Sequence, residues 1–354
     1  MKKIFVLATI VALLAGGLAF AETEVTVGGS GNLGWMTDGS ETGIGYLSDT
    51  QVTASQENLT AVFLMRYRSA YYAPGADDSP FRRMYIDSDV TGALGLDAFD
   101  WQLVAGKHGD VHLANAFGAA NMFGAFGRVA RYSDGLWGIR NIFTFADMVN
   151  ARFYISNGAQ GGGGGDVTET DDPADWQYNF GIDGSMSGLD WALNAQKVAD
   201  VVNVGAGAAY TVALDALDVT PGANFDYNMD TEVWQMGAAV KVSQEMVSGG
   251  VTLYGNDTDT MDLLGVMADI SAMENLGFRL GTVVDLTGDR DDTLQEYLVG
   301  AYTSLGDLGV DFGYYGYTDG GSSQIVDAVW VTGANVPQSD VANGGVYLGF
   351  NFAY

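Results

Sequence analysis

Cysteine is absent from the 354 residues, which excludes a disulfide scaffold. Basic side chains are few: 15 Lys and Arg against 44 Asp and Glu, for a net charge of −29. Nucleic-acid binding needs clustered cations on phosphates, and a pI near 4.1 does not provide them. The strong helix formers are scarce as well, with 9 Glu and 5 Lys. Beyond Ala21 no run of about 18 apolar residues occurs, so no transmembrane helix is expected there. What the chain does contain is 50 Gly and 35 Asp, which are turn residues. It is also 47% apolar, with 18 Tyr, 17 Phe and 7 Trp. That is too much apolar surface for disorder, despite the charge. These figures point to an all-β protein rich in turns.

Residues 1–21 read as a secretory signal peptide. Lys2 and Lys3 precede an apolar stretch from Ile4 to Leu18, and Ala19-Phe20-Ala21 forms an A-x-A cleavage site. Residues 22–354 then form a single domain carrying 13 basic and 44 acidic residues, a net charge of −31.

Along that domain the recurrent pattern has period two. Val346, Leu348, Phe350, Phe352 and Tyr354 alternate with Tyr347, Gly349, Asn351 and Ala353. One face is large and apolar, the other small or polar. The pattern recurs in residues 176–183, 234–243 and 278–286, and near Arg66, where Phe63, Met65 and Tyr67 oppose Arg66 and Arg68. A soluble sandwich turns its apolar face to a core. A transmembrane barrel turns it to lipid and lines a wet lumen with the other.

Connection lengths separate the two. Tight connections are expected near residues 55–58, 92–98, 133–135, 187–190, 213–218, 243–248, 272–276 and 304–308. Longer or more polar ones lie near 38–42, 73–80, 107–124, 157–175, 256–260, 287–292 and 319–342. Short turns on one rim and long loops on the other characterise a closed antiparallel transmembrane β-barrel, with short periplasmic turns and long outer loops. Connections give 18 strands. Pro221 falls inside one weak hairpin, residues 204–228, and without that hairpin the count is 16. Several tight turns are followed by an aromatic, as in Gly188-Leu189-Asp190-Trp191, where an interfacial girdle would lie.

The chain resembles the general diffusion porins of diderm bacteria. The resemblance is carried by the signal peptide, the opening strand Val25-Thr26-Val27-Gly28-Gly29-Ser30-Gly31, and Val104-Ala105-Gly106-Lys107 before a longer connection. It extends to Arg128-Val129-Ala130-Arg131-Tyr132 and a closing strand that ends on an aromatic. It implies a water-filled channel in the bacterial outer membrane, in contact with lipid and a lipopolysaccharide-like surface. Passive passage of small hydrophilic solutes and a homotrimer follow from it too. It also implies an inward-folded loop at about residues 108–124, in which Asp110 is the only carboxylate.

Nine of the 13 basic residues fall between Arg66 and Arg152, which would place them in one sector of barrel wall. The expected pore-lining cluster is Arg66, Arg68, Arg83, Lys107, Arg128 and Arg131, with Asp110 as the constriction-loop acid. Asp171, Asp172, Asp257, Asp259, Asp291 and Asp292 are expected in the outer loops as a negative vestibule that concentrates cations. A weak cation preference is the expected result.

Other motifs carry less. Gly29-x-Gly31-x-x-Gly34 matches a dinucleotide fingerprint, but a strand continues where a helix is needed. His108 and His112 are spaced as in a zinc protease, yet Gly109 replaces the required Glu. No catalytic residue and no cofactor are expected, although the acidic loops at 257–259 and 289–292 could hold Ca²⁺ or Mg²⁺. Two alternatives stay open: a substrate-selective outer-membrane channel with lumenal Tyr315, Tyr317 and Tyr347, and an exported all-β surface adhesin without a pore.

Overall fold

A computed structural model describes residues 23–40, 42–68, 81–95, 99–108, 136–146, 148–160, 167–169, 172, 176–198, 201–256, 263–286, 294–317 and 344–353. In chain order the strands begin with β1 (Glu24–Thr37), β2 (Thr42–Gln56), β3 (Leu59–Arg68), β4 (Phe81–Asp89), β5 (Asp100–His108), β6 (Leu136–Phe145) and β7 (Val149–Ser156). They continue with β8 (Gly158–Gln160), β9 (Val167–Glu169), β10 (Gln177–Met186), β11 (Leu189–Val198), β12 (Val201–Tyr210), β13 (Val212–Leu214) and β14 (Leu217–Asn228). The last seven are β15 (Trp234–Ser243), β16 (Val247–Asn256), β17 (Leu263–Met273), β18 (Leu276–Asp285), β19 (Leu294–Leu305), β20 (Leu308–Tyr317) and β21 (Gly345–Ala353).

Each strand pairs antiparallel with the next, and β21 returns to pair with β1 from Ser30↔Ala353 to Thr37↔Val346. Strands β12 and β13 occupy one position against β14, and β8–β9 form a separate hairpin. The ring is therefore a closed 18-stranded barrel. Closure leaves no unpaired sheet edge. Among the described residues the one helix is α1 (Val90–Leu94), a single turn capped by Asp89 and ended by Gly95 in the left-handed region. Among the described residues no helix is long and apolar enough to cross a membrane.

Register fixes the two faces. Phe180, Leu193, Phe225, Val240, Val251, Phe278, Val299, Phe312 and Val346 all point outward and are exposed, which gives an apolar belt around the barrel. The alternating positions point inward; many are small or polar, among them Asn179, Asn194, Asn224, Thr252, Asp285 and Asp311, and they are joined by buried apolar residues such as Met36, Leu64, Val104 and Leu298. Glycine has a packing reason on this inner face. The Tyr302 ring lies across Gly277 on the neighbouring strand, and the Tyr347 ring lies across Gly300 and Gly313, so a Cβ at any of the three would overlap a ring. At the β10–β11 hairpin, Ser187 and Gly188 both have positive φ, as a two-residue primed turn demands.

The short-turn rim carries both ends of the barrel sequence and the connections after β2, β4, β6, β10, β13, β15, β17 and β19. Two features differ from the sequence reading. The tight turn expected at 133–135 lies outside the described residues. The hairpin that serves this rim is instead β6–β7, turning at 146–148, where Ala146 has positive φ. Inward positions carry even numbers in both strands (Thr144, Asn150), so alternation runs through the turn unchanged and conceals it. On the other rim, β11 and β12 are joined across only two residues, with Val198 opposite Val201. The strand count of 18 holds because Pro221, which lacks a donor, lies opposite the break between β12 and β13.

Candidate functional site: the lumenal wall

The inner wall is the surface on which polar side chains converge. On its β4–β10 sector, Arg152 is paired with Asp183 through both guanidinium nitrogens, Nη1–Oδ1 at 3.1 Å and Nη2–Oδ2 at 3.3 Å. The Asn150 amide donates to the same carboxylate at 3.0 Å and in turn accepts from Thr144 Oγ1 at 2.8 Å. Gln102 donates to Asp87 Oδ2 at 2.7 Å. Arg140 sits between these groups, in the field of Asp87, Tyr85, Arg152 and Tyr154. It forms no ion pair among the described residues, and its Nε is buried without a hydrogen-bond acceptor.

A second network spans β17–β21. The Arg279 guanidinium meets Asp269 at 2.8 Å and Asp311 at 3.5 Å, and it lies 5.0 Å from the centroid of the Tyr302 ring. Tyr302 donates to Asp269 Oδ1 at 2.5 Å, and Tyr347 donates to Asp311 Oδ1 at 3.0 Å. Two carboxylates thus share one cation, and two phenols complete their hydrogen bonding.

A third feature is a cavity of about 500 Å³ on the β1–β4 side, lined by Thr26, Ser30, Asp49, Gln51, Leu64 and Arg83. It presents one carboxylate and one guanidinium amid hydroxyl and amide groups.

The expected site residues divide as follows. Arg66 stands opposite Asp49, and Arg68 opposite Leu47, in the register of β3 with β2. Arg83 is inward on β4 and borders the cavity. Lys107 departs from expectation. It pairs with Met84 and Trp137, on the face shared by Trp101 and Leu103, and so turns away from the lumen near the end of β5. A charge facing lipid at mid-height costs about 2–4 kcal/mol, which favours inward placement, but a lysine at a strand end escapes most of that cost by carrying its ammonium toward the rim along its apolar stem. Arg128, Arg131 and Asp110 lie outside the described residues, as do Asp171, Asp257, Asp259, Asp291 and Asp292. Asp172 is exposed.

Sequence reasoning set Arg140 and Arg152 in the basic wall sector but left them out of the pore-lining cluster, and it did not single out Arg279 or the wall acids Asp87, Asp183, Asp269 and Asp311. The inward parity of Arg279 was readable in the alternation of residues 278–286, whereas that of Arg140 and Arg152 depends on where the β6–β7 turn is placed. The fingerprint-like Gly29–Gly34 segment is an uninterrupted part of β1, with no helix behind it. On the outer face, Trp101 stacks on Phe143 at 5.7 Å, and Phe99 approaches Phe143 and Phe145 at 6.0 and 5.8 Å. This is an aromatic cluster next to the short-turn rim.

No family model matches the sequence, and no curated protein matches it. Solved structures do match in fold. OccD3 (OpdP) of Pseudomonas aeruginosa superposes with a TM-score of 0.59 at 10% identity, over 93% of this chain and 91% of that one. OccAB4 of Acinetobacter baumannii gives 0.59 at 9% identity, over 94% and 98%. OccK1 (OpdK) of P. aeruginosa gives 0.59 at 8% identity, also over 94% and 98%. At such identities the likeness is one of architecture: the chain shares the fold of these proteins over nearly its whole length.

Proposed function

We propose that the protein is an outer-membrane porin, a water-filled channel through which small hydrophilic solutes and ions diffuse down their gradients. The observation that carries this reading is the pairing of an exposed apolar belt with a polar inner wall on one closed ring. Lipid accepts the first face and water the second, whereas a soluble sandwich would bury the apolar one. Transport of this kind needs no bond chemistry; lumen width and lining charge set what passes. Reconstitution into planar bilayers tests it. Stepwise conductance increments are expected, and their absence from folded protein would favour the adhesin.

A weak cation preference fits the wall, where, among the side chains described, Asp49, Asp87, Asp183, Asp226, Asp269, Asp285 and Asp311 outnumber Arg83, Arg140, Arg152, Lys241 and Arg279. Substrate selectivity is a second reading, favoured by 18 strands and by Tyr315 and Tyr347, which are buried on the inner face. Export on a cleaved leader, assembly as a homotrimer and an inward fold of residues 108–124 belong to the same proposal. N-terminal sequencing, crosslinking in the membrane and cysteine labelling of position 110 check them in turn.

A further inference from the structure

We propose that the inner face of β10–β14 is a binding track for neutral, hydroxyl-rich solutes of the sugar class. The inference rests on the channel reading for access to the lumen.

The track is built from carboxamides. Gln177 and Asn179 project inward from β10, Asn194 from β11 and Asn224 from β14. Their exposures are 0%, 1%, 7% and 7%. In Gln177, Asn179 and Asn194 both the amide nitrogen and the amide oxygen are buried without a hydrogen-bond partner, and in Asn224 the oxygen is. Buried polar atoms are nearly always paired, so a cluster of unmet donors and acceptors on one wall calls for a partner.

The surroundings keep two of these amides clear of competitors. Asn194 stands opposite Gly181 and Gly205, and Asn224 opposite Gly207 and Gly237. The glycines put no side chain beside Asn194 and Asn224 on the flanking strands, whereas Asn179 faces Tyr154 and Gln196. Charges stand only at its borders, with the Arg152–Asp183 pair on one side and Asp226 on the other. Tyr154, directly opposite Asn179, adds a ring at one edge.

The chemistry of the partner follows from the inventory of the wall. Each carboxamide presents two donors and an acceptor side by side. A carboxylate or phosphate only accepts, and a cation only donates, so either leaves half of the amide atoms unmet. A hydroxyl does both, and neighbouring hydroxyls on a sugar ring repeat the spacing. The Arg152–Asp183 pair adds little net field, and Asp226 at the other border adds a negative one that disfavours anions.

The test uses the full chain, with maltose as probe and benzoate as the charged control. In planar bilayers maltose is expected to interrupt the ionic current in a saturable manner. The substitutions Asn179→Leu and Asn194→Leu keep side-chain volume and remove the unmet polar atoms, so the barrel should not be weakened. Each is expected to raise the maltose half-blocking concentration about tenfold, the effect of one buried hydrogen bond. The reversal potential in a salt gradient should stay unchanged. An open pore indifferent to maltose, blockage equally strong in both variants, or blockage by benzoate alone would overturn the inference. Titration calorimetry of maltose against detergent-solubilised protein separates the two readings. Heat of binding without conductance upholds the track and sinks the channel, whereas conductance without binding does the reverse.

Discussion

Arg152 and Asp183 carry the sharpest residue-scale consequence. Their side chains are only 17% and 12% exposed, so each charge depends on the other for the solvation it has lost. Asp183→Ala is expected to cost about 3 kcal/mol, because it strands a largely buried guanidinium. The double change Arg152→Met with Asp183→Leu should recover most of that loss. Urea midpoints in detergent micelles measure both; equal losses in the single and double variants would refute the argument. Tyr347→Phe acts more mildly, removing the phenol from an Asp311 carboxylate that is 4% exposed. Arg279 remains at 3.5 Å, so a loss of about 1–2 kcal/mol is expected from the same titration.

At the scale of the strand, one residue of displacement exchanges lumen for lipid. Lys241 is inward, opposite Thr220 and Gly250, while Val240 beside it belongs to the exposed belt. Exchanging the two as Val240→Lys with Lys241→Val keeps composition and charge. It moves the ammonium into the apolar belt three residues from the end of β15 and is expected to cost about 1–2 kcal/mol, between the midplane and interface values. Folding yield into vesicles, read from heat-modifiable gel migration, reports the loss; unchanged yield would contradict the assignment of faces. The same period explains which elements were legible in the sequence. β21 and β15 alternate without exception and β18 nearly so, apart from Thr282 and Val283, so their outward residues could be named before any fold was known. The β6–β7 turn could not, because it preserves parity. Lys107 misled because cost arguments about charge in lipid weaken at a strand end. The carboxamide track was invisible for another reason. An isolated Asn or Gln looks like any solvated polar residue, and only cross-strand register gathers four of them from three strands onto one surface.

For the whole molecule, the charge of −29 has a definite distribution across the wall. Acids recur around the ring, while Arg83, Arg140 and Arg152 concentrate in the sector from β4 to β7. Two groups of wall charges are matched locally: Arg152 by Asp183, and Arg279 by Asp269 and Asp311. A matched pair contributes little field at a distance, so ion selectivity depends on the groups left over. Arg140 is such a group, since it lacks an ion pair among the described residues, and it opposes the acidic excess. Arg140→Gln should therefore increase cation preference by removing the main local resistance to it. In a salt gradient the reversal potential is expected to move toward the cation equilibrium value. The shift should shrink as salt rises from about 0.1 M toward 1 M, where screening shortens the range of the field from about 10 Å to about 3 Å. Arg152→Gln in the same sector should move the potential less, because Asp183 loses its partner while the channel loses a cation that was already neutralised. A larger shift for Arg152 than for Arg140 would show that local pairing does not govern the lining field.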